Sequence, residues 1–129
     1  MRSAAIWILA ALTMGADPTA AQPAAQQNIC FPFNQMEGWK APDNKTIFIR
    51  VNLNRYYRLD LAGSCPALTM PNSHLVTKIT GTDLICSAID WQLSVAQSPP
   101  ESIPEPCIVK KMTLLTPQEA AAIPPKYKP

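Results

Sequence analysis

Four cysteines, one histidine, a cluster of arginines and a few carboxylates are the residues through which this chain could do chemistry. The cysteines Cys30, Cys65, Cys86 and Cys107 stand 35, 21 and 21 residues apart. Structural zinc sites usually draw thiolates in close pairs, because one tight turn then presents two sulfurs. No such pair occurs here, so no metal is expected, and an even cysteine count in a short chain reads as a disulfide framework. Three connectivities are open. The favoured one nests Cys65 with Cys86 inside Cys30 with Cys107. The inner bond would close a central hairpin region, and the outer would tie the two ends of the domain together.

His74 is the single histidine. A general-base role would need Ser64, Ser73 or Asp83 brought to it in space. The chain has no nucleophile-elbow sequence, and one histidine at the start of a strand is more simply a surface residue. Asp60, Asp83 and Asp90 offer carboxylates for sugar hydrolysis, but nothing sets two of them at the separation that chemistry requires. Glycine is scarce, 4 residues against 14 prolines, which disfavours phosphate-cradling loops and their nucleotide ligands. No cofactor is expected.

Arg50, Arg55, Tyr56 and Arg58, with His74, are the candidate ligand-binding residues. The arginines could fork a carboxylate or phosphate, and the tyrosine could stack on a sugar. The plainer alternative is a solvated face with one cross-strand ion pair. A net charge of +2 is too small a bias to imply nucleic acid, which demands a clustered basic face.

These residues need a scaffold, and the amino terminus says where it folds. Arg2 precedes an apolar stretch of eleven residues, Ala4 to Met14. That is too short for a membrane helix of about 20 apolar residues, but it is the length of a signal-peptide core. Thr19-Ala20-Ala21 supplies small residues before Gln22, so residues 1–21 read as a signal peptide, with Ala16 and Ala20 as alternative cleavage points. About 108 residues then remain, enough for one modest core. No cysteine ends the apolar stretch, so a lipid anchor is not expected, and no later segment is apolar enough to span a membrane. The expected location is periplasmic or secreted.

Residues 22–29 read as a disordered leader, 30–123 as one β-rich domain, and 124–129 as a proline-rich, extended tail. Met36 to Lys40 is a first strand. Thr46 to Leu61 carries the best strand signal, with Ile47, Ile49, Val51 and Leu53, then Tyr57, Leu59 and Leu61, on alternating positions. Both apolar sets are odd-numbered, so a hairpin must pair odd with odd. Two registers meet that condition. Facing Val51 with Tyr57 opposes Arg50 to Arg58; facing Val51 with Leu59 opposes Arg50 to Asp60, which is preferred.

His74 to Thr80, with Leu75 and Ile79 inward, Leu84 to Cys86, Ile89 to Val95 and Cys107 to Leu114 complete the strands. Gln97 to Pro106 is an exposed loop, because proline cannot donate to a ladder. Thr116-Pro117-Gln118-Glu119 is a capping box that starts a short helix, stopped by Pro124-Pro125. Trp39 and Trp91 most simply fill the core. The two proline-rich segments could engage a partner as polyproline II, or serve only as loop and tail.

Gly38-Trp39, Arg55-Tyr56-Tyr57-Arg58-Leu59, Cys65-Pro66-x-Leu68, Leu84-x-Cys86 and Cys107-Ile108 together resemble a family of small exported proteobacterial proteins catalogued as a domain of unknown function. The likeness spans nearly the whole chain after the leader. It implies export, paired cysteines and a small β-rich fold, and it brings no catalytic residue.

The expected fold is mainly β: a small disulfide-stapled antiparallel barrel or sandwich with a short C-terminal helix. The expected function is a non-catalytic binding or structural module of the envelope, contacting another envelope protein or an anionic or glycan surface. The alternative is a small envelope hydrolase using His74. Isolated from an exporting host, the protein is expected to begin at Gln22 by intact mass. Recovery from the cytosol with Met1 retained and all thiols free would refute export.

Overall fold

Ile47, Ile49 and Val51 alternate with Phe48 and Arg50, and Tyr57, Leu59 and Leu61 with Tyr56, Arg58 and Asp60. One apolar face results, and the two segments form an antiparallel hairpin. The computed structural model describes residues 29–78 and 81–129. The expected signal peptide, nearly all of the leader, and Ile79 lie outside the described residues.

In chain order the elements are β1 (Phe31–Pro32), β2 (Met36–Lys40), β3 (Thr46–Val51), β4 (Arg55–Leu61), β5 (Ser73–Lys78), β6 (Leu84–Ile85), β7 (Gln92–Gln97), β8 (Glu105–Pro106), β9 (Val109–Leu114) and α1 (Pro117–Ala121). One sheet has the order β2-β3-β4-β9, a second β5-β7-β8, and β1 with β6 makes a two-stranded ribbon. All the pairings are antiparallel.

The two larger sheets and the ribbon enclose one core. Ile47, Ile49, Val51, Tyr57 and Leu59 are fully buried, together with Phe31 and Ile85 of the ribbon and Val95 of the second sheet. Each such side chain contributes about 1.5–3 kcal/mol through removal from water. The first sheet ends at β2 and β9 without joining the second. The architecture is therefore a sandwich, not the closed barrel that was the other expectation.

The hairpin forms in neither expected register. Val51 faces Arg55, Arg50 faces Tyr56, and Phe48 faces Arg58. All registers differing by two residues keep the same faces inward, so burial does not choose among them. The turn does. Asn52 adopts φ 55, a left-handed conformation that asparagine tolerates, and its side-chain amide donates to Gln35 Oε1 at 3.2 Å. The loop contracts to Asn52–Asn54, and Leu53, expected inside, stands at its tip 82 % exposed.

The disulfides also differ from the favoured connectivity. Cys30 bonds Cys86, and Cys65 bonds Cys107. The strand pairings account for both. Phe31 faces Ile85 in the ribbon, so the antiparallel register sets Cys30 directly across from Cys86. Leu61 faces Val109, so the chain leaving β4 runs beside the chain entering β9, where Cys65 meets Cys107. The separations of 56 and 42 residues correspond to about 4 kcal/mol each on the loop-closure model.

Three smaller expectations change. Ala88–Asp90 is a 3-10 turn, not strand, because the Asp90 carboxylate accepts from the Cys86 and Ser87 amides at 2.8 and 2.9 Å. Glu105–Pro106 leaves the expected loop to pair with β7 as an edge strand, a place where proline is tolerated. The tail is not extended: Pro125–Tyr127 form a 3-10 turn. The helix starts as expected, Thr116 Oγ1 accepting from the Glu119 amide and Glu119 Oε1 from the Thr116 amide.

Non-reducing peptide mapping is expected to recover Cys30 linked to Cys86 and Cys65 linked to Cys107. Replacing Cys65 and Cys107 together with alanine is expected to cost about 2–5 kcal/mol in urea unfolding.

Tyr57 yields a second test. Its hydroxyl donates to the Ile29 carbonyl at 2.9 Å, its ring centroid lies 4.9 Å from that of Phe31, and the Arg55 guanidinium sits 5.5 Å over its ring. Burial pushes its phenol above the ordinary tyrosine value, and Arg55 pulls it part of the way back. A phenol whose folded pKa is raised stabilises the fold below the unfolded value of about 10 and loses that contribution as pH rises through the folded value. Tyr57→Phe should therefore cost about 0.5–1.5 kcal/mol near neutrality through the lost hydrogen bond. It should also flatten the alkaline fall in stability, read from urea midpoints across a pH series.

Candidate functional site

The outward side of the four-stranded sheet is built from the polar half of the same alternation. Across it run Lys40, Phe48, Arg58 and Thr113 in one row, Gly38, Arg50 and Tyr56 in a second, and Thr46, Asp60 and Lys111 in a third. The arginines and tyrosine expected to form a patch do share this sheet, but they are not a bare surface.

The C-terminal segment covers part of it. Leu115 donates its amide to the Tyr56 carbonyl at 2.9 Å, and α1 follows. Ala120 and Ile123 are buried outside the main core. Ile123 lines a cleft together with Phe48 and Leu115. Farther along, Lys128 Nζ sits 5.3 Å over the Tyr56 ring. Pro129 lies beside Gly38, where an added β-carbon would make ordinary contact with its Cβ at 3.7 Å. A strap thus runs from β9 back across the sheet to β2.

Each candidate arginine has a contact. Arg50 forms an ion pair with Glu37 at 3.6 Å, although its Nε is buried without a hydrogen-bond partner. Arg55 lies over Tyr57. Arg58 donates to Asp60 Oδ1 two residues along its own strand at 2.9 Å. The cross-strand pair expected between Arg50 and Asp60 is therefore absent: Arg50 pairs with Glu37 across strands, and Asp60 with Arg58 within its own strand.

His74 lies elsewhere, exposed on β5 of the second sheet and facing Ala96. The Ser73 hydroxyl donates to the Ala67 and Met70 carbonyls, and alternation points it away from His74. Asp90 serves its turn, as described above. Among the described residues no group of three or more histidines, cysteines or acids could hold a metal ion, and no helix is long and apolar enough to cross a membrane.

The strap leaves a cleft on either side. One, of about 520 Å³, holds Arg58 and Lys111 together with Asp60 and Glu119, so its charges balance internally. The other, of about 710 Å³, lies along β2 and is bounded by Trp39, Lys40, Met70, Asn72, Lys126 and Tyr127, with Leu68 among its remaining lining and no acidic residue. Sequence reasoning missed it for two reasons: Trp39 reads as core, and the tail reads as extended. The alternation Lys126-Tyr127-Lys128 was the available signal, a basic and aromatic pattern that repeats that of the hairpin.

No curated protein and no solved structure matches the chain. The model of a family of unknown function, DUF6491, matches residues 1–125. With nearly the whole sequence matched, this protein belongs to the DUF6491 family.

Proposed function

We propose that this protein is an exported, non-catalytic binding module, periplasmic or secreted, that holds an anionic or glycan-bearing surface against the strapped face of its four-stranded sheet. The observation that carries this reading is the distribution of charge. Among the described residues the two ion pairs engage Arg50 and Arg58. Lys40, Lys126 and Lys128, which sequence reasoning passed over, share that face and its strap, are exposed, and have no ion pair among the described residues. Exposed cations with no carboxylate partner remain available to an incoming anion.

Export is supported by the Arg2–Ala21 pattern and by two disulfides, which form and persist in oxidising compartments. The hydrolase alternative draws no support from Ser73, whose hydroxyl donates to backbone carbonyls and, by strand alternation, faces away from the exposed His74. On immobilised polygalacturonate at low salt the protein is expected to be retained, and on neutral dextran to pass through. Rising salt should release it. Reversing Lys126 and Lys128 to glutamate should lower retention about tenfold or more, while His74→Ala leaves it unchanged. Equal behaviour on both resins would overturn the proposal.

A further inference from the structure

The two clefts beside the strap differ in one decisive respect. Arg58 and Lys111 share theirs with Asp60 and Glu119. Lys40 and Lys126 share theirs with no acid, and neither is in an ion pair among the described residues. The same cleft carries two aromatic side chains. Trp39 is half-buried, braced against the core on one side and lining the cleft on the other. Tyr127 is half-buried on the strap, with Lys126 Nζ 5.3 Å over its ring.

The hydrogen-bonding groups of the lining divide in the same way. Thr69 and Ser73 turn their hydroxyls to Asn44 and to backbone carbonyls, so they brace the wall. Asn72, at φ 59, is tied to the proline-rich loop through the Pro99 carbonyl at 3.3 Å. The lysines are the charged groups of the lining, and their chemistry selects a negative charge.

We infer that this cleft is a saccharide-binding site that takes a sugar chain bearing anionic substituents. The inference rests on the binding reading above and deepens it. The volume of about 710 Å³ falls within the range of pre-formed ligand sites, about 300–1,000 Å³. Trp39 and Tyr127 provide rigid, electron-rich ring faces on which the C–H face of a sugar can lie. Lys40 from β2 and Lys126 from the strap supply mobile point charges for a carboxylate or phosphate on that sugar. An open cleft admits a chain, whereas a closed pocket would admit only a single ring.

Titration calorimetry of the full protein separates the possibilities, with a galacturonate oligomer, its methyl ester, a sugar phosphate and inorganic phosphate as probes. The oligomer should bind, the ester about tenfold or more weakly, and inorganic phosphate below detection. A sugar phosphate that outcompetes the oligomer would identify phosphate as the preferred substituent; a weaker one would identify carboxylate. Either supports the site. Trp39→Ala and Tyr127→Ala should each weaken the oligomer about tenfold or more. Tyr127 lies on the strap, outside both sheets, so its loss tests the cleft without disturbing the core. Lys40→Gln with Lys126→Gln should erase the preference for acid over ester, while Lys111→Gln in the other cleft stays within about twofold. Oligomer binding that survives both aromatic truncations would overturn the cleft and leave the binding function standing. Equal affinity for acid and ester, or phosphate binding as tight as the oligomer, would overturn the ligand class. An absence of binding to every acidic probe and to polygalacturonate would overturn the function itself.

Discussion

Strand β4 is hydrogen-bonded along both edges, to β3 on one side and β9 on the other. Its inward side chains Tyr57, Leu59 and Leu61 lie in the core. Much of the molecule depends on that placement. The pairing with β3 aligns the inward rows, and the pairing with β9 brings the chain around Cys107 to Cys65. Tyr57 then ties the sheet to the amino-terminal segment through the Ile29 carbonyl. An interior strand has no free edge, so its register is held by two neighbours at once. Slipping it would cost both ladders and, for an odd slip, its whole buried face.

The outward side of the same strand contributes to the proposed binding surface. Strand geometry sends alternate residues to opposite faces, so a core-building strand must present its polar residues together on the other side. Here that side is half covered. Leu115 extends the β9 pairing to the Tyr56 carbonyl, the capping box turns the chain, and Ile123 is buried away from the main core. The strap shapes one concave cleft on the sheet face and walls part of a second at the β2 edge, opposite Leu68, Met70 and Asn72. Concavity matters because a ligand in a cleft loses more water-exposed surface per contact than one on a plane.

Charge then distinguishes the clefts, and it does so through neighbours rather than through the total. A net charge of +2 says little about binding. What decides is that Glu37 and Asp60 engage Arg50 and Arg58, which removes the most conspicuous cations from competition. The strap adds Lys126 where the opposing wall carries no acid. The disulfides act at a different level: each joins segments distant in sequence, restricting the unfolded chain more than the folded one.

Features whose physics is local are legible in the order of residues alone. Period-two alternation marks the inward set of the hairpin, Leu53 excepted. The capping box places the helix, because a hydroxyl and a carboxylate three residues apart satisfy each other's amides whatever surrounds them. Parity requires odd-with-odd pairing. The family resemblance rests on cysteine context and the Arg55–Leu59 run, both plain in the chain. By contrast, the register depends on Asn52, whose left-handed conformation shortens the turn by an amount alternation cannot see. The cysteine pairing depends on β1 and β6, strands of two residues each, too short to carry any periodicity. The larger cleft depends on a tail with no pattern of its own to bury, folded back by contacts with β2 and β4. Side-chain order along each segment thus sets which residues face the core and which face out. What lies opposite them is settled in three dimensions, because partners distant along the chain are selected by turns and long-range pairings rather than by any repeat within a segment.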